Sequence, residues 1–200
     1  MTFEEGYFIN SKISNYEDYR ERKFSILADA LIRTLALDNG MRVLDFGCAT
    51  GGLIKELKKG GVTDIKGTDV SYWAISYGQE HYGLKEELEY FNVNLLTQDF
   101  NAVLFLDVLE HVPSVAEINK FLEISQIPLL VVRIPVSAIE GEPYVFEISR
   151  NDTTHVQCHT KEWWEKVFTD HNYNQIHIFD ENPGIFDSEG VLARVYHKNT

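Results

Sequence analysis

Three acidic residues stand at or near the ends of strand-like segments in this chain, and each is followed by an abrupt change of character. Asp45 sits in Val43-Leu44-Asp45-Phe46 and is followed at once by Gly47-Cys48-Ala49-Thr50-Gly51-Gly52. Glycines at positions 47 and 51 permit positive φ and let a bound molecule approach bare backbone. A pyrophosphate-binding turn is written G-x-G-x-x-G and aims its amides at an anion. Here Cys48 and Ala49 fall where the second glycine would be, and a carboxylate stands two positions ahead of Gly47. That carboxylate disfavours phosphate and favours a hydrogen-bond donor or a cation, such as the ammonium of an amino-acid moiety. Asp69 ends Asp64-Ile65-Lys66-Gly67-Thr68, about two dozen residues past the turn, close to the spacing at which a strand-end carboxylate meets a ribose. Its two oxygens can each accept a hydroxyl, at about 1.5 to 3 kcal/mol per bond. Asp107 ends Phe100 to Leu106 and opens Asp107-Val108-Leu109-Glu110-His111-Val112-Pro113.

Downstream, His155-Val156-Gln157-Cys158-His159 offers three metal-ligating side chains within five residues. The spacing matches none of the usual paired patterns and no fourth ligand is near, so no metal is expected there.

The elements that must carry these residues follow from periodicity. Val43 to Leu53 reads strand, tight turn, helix start, because Leu53, Ile54 and Leu57 recur at helical spacing beyond the glycines. Ahead of it, Phe24, Leu27, Ala28, Leu31, Ile32 and Leu35 form an amphipathic helical stripe that Asn39-Gly40 is expected to cap. Residues 1 to 14 show no sustained period and read as a lid or flap. Asp64 to Ser71 is a second strand, Trp73 to Tyr82 a crossover helix stopped by Gly83, and Leu88 to Phe91 a short strand. Phe100 to Asp107 and Pro128 to Ile134 are nearly continuous in apolar residues, as buried parallel strands are. Between them, Ser114-Val115-Ala116-Glu117 is a capping box for a helix through about Ile124. The connection from Val136 to Cys158 is long enough to be functional. Thr160 caps a helix over Lys161 to Asp170, and Asn174 to Phe179 with Val191 to Tyr196 makes a terminal hairpin.

Alternating strands and helices at this spacing predict an α/β domain with a Rossmann-like doubly wound sheet of about seven strands, mostly parallel, ending in an antiparallel hairpin. A chain of 200 residues, 44% hydrophobic and 24% charged, is one soluble globular domain. We divide 1–200 into an N-terminal lid and helix (1–37), a ligand-binding core (41–134), a pocket-shaping loop (135–160) and a terminal helix with hairpin (161–200). The net charge of −13, with no basic block longer than Lys58-Lys59, speaks against a nucleic-acid partner. No apolar run is long enough to span a membrane and no signal peptide opens the chain, so a cytoplasmic location is expected. Two cysteines, Cys48 and Cys158, read as free thiols.

The Val43 to Leu53 stretch resembles the first motif of class I S-adenosylmethionine-dependent methyltransferases, D/E-x-G-x-G-x-G, with Ala49 in place of the middle glycine. Asp107 to Val112 resembles the D-V-L-E-H-V signature of a branch of that family that acts on small molecules. The resemblance implies S-adenosyl-L-methionine as cofactor and a small-molecule acceptor. It implies cofactor contacts from Asp45, Gly47, Cys48, Ala49 and Gly51. Asp69 would bind the ribose hydroxyls and Val70 would pack on the adenine. Asn94, with Leu95 beside it, would replace the acid that bonds the adenine amine, and Asp107 would face the methionine end. Candidate catalytic residues on the same grounds are His155, a general base placed shortly before a helix, with Asp107 and His111. The nucleophile, whether O, N or C, stays open, as does a homodimer. Two other readings also stay open: a non-catalytic partner protein on the same fold, favoured by Ala49, Asn94 and Asn101, and a nucleotide-cofactor enzyme on a related sheet. The broken glycine fingerprint and the lack of a Tyr-x-x-x-Lys pair count against the latter.

Overall fold

The computed structural model describes residues 3–9, 14 and 17–199. Seven strands form one sheet: β1 (Arg42–Phe46), β2 (Asp64–Asp69), β3 (Leu88–Tyr90), β4 (Ala102–Leu106), β5 (Leu129–Pro135), β6 (Tyr173–Ile178) and β7 (Val191–Lys198). Their spatial order is β3-β2-β1-β4-β5-β7-β6. The first five are parallel, and β7 runs antiparallel to both β5 and β6. The strand order reverses between β1 and β4, which places a crevice at the carboxyl ends of these two strands, where open α/β sheets bind ligands.

Helices cover both faces: α1 (Glu5–Ile9), α2 (Ser25–Leu35), α3 (Gly52–Lys59), α4 (Tyr72–His81), α5 (Val115–Ile124), α6 (Glu147–Asn151) and α7 (Lys161–Asp170). Strand side chains alternate between two cores. Val43, Ile65, Leu104 and Val131 pack with Leu27 and Leu31 of α2 and with Leu53, Ile54 and Leu57 of α3. Leu44, Phe46, Val103, Phe105, Leu130 and Val132 pack with Ile118 and Leu122 of α5 and with Trp164 and Phe168 of α7. No described helix is long and apolar enough to cross a membrane.

The caps follow their local chemistry, with one correction. Ser114 accepts the Glu117 amide at 3.3 Å and Thr160 accepts that of Trp163 at 3.2 Å, as the capping signals require. Helix α2, in contrast, ends at Ala36 rather than at Asn39-Gly40: Ala36 adopts the left-handed conformation (φ 50°) and the Leu37 amide bonds the Ile32 carbonyl at 3.0 Å. Leu37 is buried, so packing the residue after the turn decides where the helix stops. Of Tyr16, Tyr19 and Arg20, which the sequence ahead of α2 offers as residues able to reach over a ligand, Tyr16 lies outside the described residues.

Helix α4 lies against the glycine turn so closely that a Cβ on Gly78 would stand 2.3 Å from the Thr50 carbonyl oxygen and 2.5 Å from Leu88 Cδ1. A glycine within an exposed helix is worth about 1 kcal/mol when replaced by alanine. Here overpacking against backbone reverses the sign. Gly78→Ala is expected to lose about 1 to 3 kcal/mol in urea unfolding, and a gain in stability would show that α4 does not rest on the turn.

Candidate functional site

The crevice at the β1/β4 switch opens into a cavity of about 510 Å³. Asp45, Gly47, Cys48, Ala49, Asp69, Val70, Asp107 and His111 all line it. Three strand-tip carboxylates therefore share one chamber, although β2 and β4 flank β1 on opposite sides.

Asp69 organises the floor. Its Oδ2 accepts the Ala49 amide and its Oδ1 the Ser71 amide, both at 2.8 Å. The Gly47 and Cys48 amides donate to the Thr68 carbonyl at 2.8 and 3.1 Å, and that of Gly51 to the Cys48 carbonyl at 2.9 Å. With these amides spent inside the protein, the turn is not an anion cradle, which agrees with the carboxylate placed ahead of it. Positive φ occurs at Gly47 (86°), Ala49 (50°) and Gly51 (75°). The close approach the glycines allow is to the protein itself: a Cβ at Gly47 would meet Val108 Cγ2 at 2.4 Å, and one at Gly51 would meet Leu84 and Leu88 at 2.9 Å.

Asp45 is buried, and no described residue donates a hydrogen bond to its carboxylate. Burial, and then the neighbouring Asp69 charge, push its pKa up to about 7. Burial also raises Asp69, against the pull of its backbone bonds. Asp107 is in the opposite situation. Burial pushes it up, but the Arg133 guanidinium overrides this and holds it below the ordinary carboxylate range. The pair is bidentate, Nε to Oδ1 at 2.8 Å and Nη2 to Oδ2 at 2.5 Å, with Arg22 3.9 Å away. Asp107 thus stands in the wall as a neutralised group, at φ 58°.

Other expected residues lie elsewhere. Gly51 is beneath the turn, packed against the β3 region. Asn94 and Leu95 belong to a 3-10 turn (Val93–Thr97) in which Leu95 is buried in the α5-side core and Asn94 is exposed. The residues this segment sends to the cavity are Phe91 and Val93. His155 does not line the cavity; it lies behind His111, ring centroids 4.7 Å apart, with Nδ1 on the Ser149 carbonyl at 2.9 Å. Cys158 and His159 do not join it: the thiol faces the Glu142 carbonyl, and the His159 ring bonds Glu140 at 2.6 Å and stacks on Trp163.

Tyr19, read as able to reach over a ligand, does line the chamber, as do Phe3, Tyr7 and Phe8 of the segment read as a lid or flap; the lining residues that sequence reading missed are Arg22 and Phe24 ahead of α2, Lys120 and Phe121 of α5, and Arg133. Phe8 stacks on Trp73 (5.4 Å between centroids) and Tyr7 donates to Asp152 at 3.2 Å, which ties the N-terminal segment to α4 and to the loop before α7. Arg133 carried a signal, a lone charge in Leu129-Leu130-Val131-Val132-Arg133-Ile134 that buried strands admit only with a partner.

The model of the methyltransferase domain family matches residues 19–178. The chain belongs to the methyltransferase domain family. Among solved structures, this methyltransferase domain is similar to an S-adenosylmethionine-dependent methyltransferase from Clostridium acetobutylicum (13% identity, 91% of this chain and 94% of that one, TM-score 0.67). It is also similar to geranyl diphosphate C-methyltransferase from Streptomyces coelicolor, solved with Mg2+, geranyl diphosphate and S-adenosyl-L-homocysteine (12%, 88% and 78%, TM-score 0.65). A third likeness is to magnesium protoporphyrin IX methyltransferase from Synechocystis with bound SAH (15%, 88% and 83%, TM-score 0.60). At these identities the likeness is one of fold. The domain implies S-adenosylmethionine as cofactor, and the residues present fit it: a buried carboxylate without a donor suits an ammonium, and each Asp69 oxygen keeps a lone pair beyond its backbone bond.

Because the Asp45 carboxyl has a folded pKa of about 7 against an unfolded value of 3.8, its charge burdens the ligand-free fold. The burden is absent below about pH 4, grows as the pH rises through 7 and is full above it. Asp45→Asn is expected to raise the thermal midpoint of the ligand-free protein at pH 8, with the gain fading toward pH 5. Equal midpoints at pH 8 would show that the carboxylate is solvated.

Proposed function

We propose that this methyltransferase domain transfers the methyl group of S-adenosylmethionine to a small-molecule acceptor bound in the same chamber. The observation that carries this reading is the buried pair Asp45 and Asp69 at the chamber floor, neither in an ion pair with a described residue, beside a turn whose amides are already satisfied. Such a floor rejects phosphates and accepts an ammonium next to a diol. Asp45 would hold the ammonium and Asp69 the ribose hydroxyls, while Val70, Phe91 and Val93 offer apolar surface to the adenine. The bound cofactor supplies a methyl on a sulfonium, already activated for transfer. What remains for the protein is to hold donor and acceptor in line, and orientation of this kind supplies about 7 to 11 kcal/mol.

The acceptor side is walled by Phe3, Tyr7, His111 and Phe121, with Arg22 and Lys120 among them. Aromatic walls with a few polar groups favour a small, partly apolar molecule, and a chamber of about 510 Å³ shared with the cofactor leaves room for little more. Asp107, fixed by Arg133, would act as a positioning wall and not as a base. His155 as general base would have to reach the acceptor through His111, whose ring stands between it and the chamber, so we assign His155 no proton transfer.

Calorimetric titration with S-adenosylmethionine tests the reading directly, and an absence of binding at millimolar cofactor would end it. Asp69→Ala, folded by circular dichroism, is expected to bind at least about tenfold more weakly, because it loses charge-assisted bonds worth about 1.5 to 3 kcal/mol each. Affinity of the unmodified protein should rise about tenfold from pH 6 to pH 8, since only the charged Asp45 carboxyl, titrating at about 7, attracts the ammonium. The slope should vanish in Asp45→Asn. Binding without turnover over a metabolite panel screened with labelled cofactor would favour the non-catalytic partner.

A further inference from the structure

Behind the His111 wall the structure holds an arrangement that methyl transfer does not require. Glu110 is fully buried, and neither of its carboxylate oxygens has a hydrogen-bond partner among the described residues. Glu110, His111 and His155 each bring one ligand atom to within 4.8 Å of the other two.

The hydrogen bonds around the two rings decide which nitrogen faces this cluster. His111 Nδ1 lies 2.8 Å from Thr154 Oγ1 and 3.3 Å from the Thr154 carbonyl. The Thr154 hydroxyl in turn donates to Asp152 Oδ1 at 2.5 Å, so it can only accept from the ring. Nδ1 of His111 is therefore the protonated nitrogen and Nε2 carries the lone pair. His155 Nδ1 lies 2.9 Å from the Ser149 carbonyl, which fixes the same tautomer.

Two imidazole lone pairs and a carboxylate without a donor are three acceptors directed at one small volume. Nothing described donates to any of them. Imidazoles that ligate a metal characteristically give their other N–H to a carbonyl or, through a relay, to a carboxylate, and both rings here do so. We propose that Glu110, His111 and His155 form a binding site for one divalent transition cation, a two-histidine, one-carboxylate donor set of the kind that suits Zn2+, Mn2+, Co2+ or Fe2+. Three protein ligands leave at least one coordination position for water or an acceptor oxygen. Since His111 is also a wall of the chamber, the ion would sit at the boundary between the chamber and the loop that carries Thr154 and His155. The assignment does not depend on the proposed methyl transfer. It departs from the sequence expectation of no metal because Glu110 and His111 are 45 and 44 positions from His155 in the numbering, and only the loop's return to the β4 tip joins them. That return is anchored by the Val156 and Gln157 amides, both donating to the Glu110 carbonyl, at 2.8 and 3.0 Å.

The test uses the full chain, stripped with chelator and titrated with Co2+ in the absence of S-adenosylmethionine. One Co2+ per chain is expected, with visible d–d bands, no thiolate charge-transfer band from Cys48 or Cys158, and a raised thermal midpoint. Glu110→Gln keeps the shape of the side chain and removes a buried charge, so it should fold. It and His155→Ala are each expected to weaken Co2+ binding at least about tenfold and to abolish the thermal shift. Absence of saturable binding to the unmodified protein at millimolar Co2+ would overturn the assignment, as would binding that both variants leave unchanged. A thiolate band on loading would place the ion elsewhere and also overturn it. Cofactor calorimetry on the metal-free protein reads the methyltransferase proposal separately.

Discussion

The Asp69 carboxylate is the bond on which the site's geometry rests. It spans from the end of β2 to the Ala49 amide in the turn after β1 and to the Ser71 amide at the start of α4. One side chain thereby fixes the spacing of two strand tips and a helix N-terminus. The turn answers with unusual backbone: Ala49 sits at φ 50°, a conformation that disfavours any residue with a Cβ by about 1 to 2 kcal/mol. The amide bond to a charged, buried acceptor is of sufficient strength to hold it there. The same turn must then be thin beneath, and so Gly51 and Gly78 each admit a neighbour at a distance no Cβ would tolerate.

Around this floor the charges are deliberately unequal. Among the described residues, Asp45 and Asp69 have no cation paired with them, whereas Asp107, on the other flanking strand, is matched by Arg133 across the β4/β5 pairing. A pair of buried carboxylates destabilises a fold unless a ligand supplies the missing positive charge. The floor therefore discriminates by charge before any shape is considered. The wall, already neutral, contributes rigidity: the guanidinium fork locks Asp107 in its left-handed conformation and reaches the Gly184 carbonyl at 3.2 Å, so the β5 end and the loop before β7 move as one.

Much of this was legible in the chain because it is local. Strand, turn and helix around Gly47 to Gly51, the strand-end acids and the caps at Ser114 and Thr160 are decided by residues within a few positions of one another. The sheet followed from the alternation of such units, and the antiparallel terminal strands from the spacing of two apolar runs. What stayed hidden is what depends on registry between distant segments. Arg133 meets Asp107 only because Leu106 pairs with Arg133 in the sheet. Asn94 is expected at the adenine from the resemblance alone, yet its 3-10 turn presents Val93 to the chamber and leaves Asn94 in solvent. The cap expected at Asn39-Gly40 lost to the burial of Leu37, a tertiary demand that overrides local preference. The aromatic segment from Phe3 to Phe8 has no period to announce it, and its place is set by where Trp73, Tyr19 and His111 offer ring edges and faces.

The cluster behind His111 extends the charge logic into the interior. If the three acceptors faced only one another, the fully buried Glu110 carboxyl would stand among lone pairs with no donor unless it carried a proton itself. A protonated carboxyl is itself a donor, and two imidazole lone pairs stand within reach of small adjustments. Yet neither oxygen engages a ring, while the outer nitrogens of both rings are held in ordered bonds to Thr154 and Ser149. A single proton satisfies at most one such contact and leaves the other Glu110 oxygen buried without a partner, at about 1 to 3 kcal/mol. A divalent cation satisfies all three at once and offsets the negative charge. The orientation of the rings, fixed from outside the cluster and not by it, is what distinguishes a prepared ligand set from a neutral acid packed among histidines.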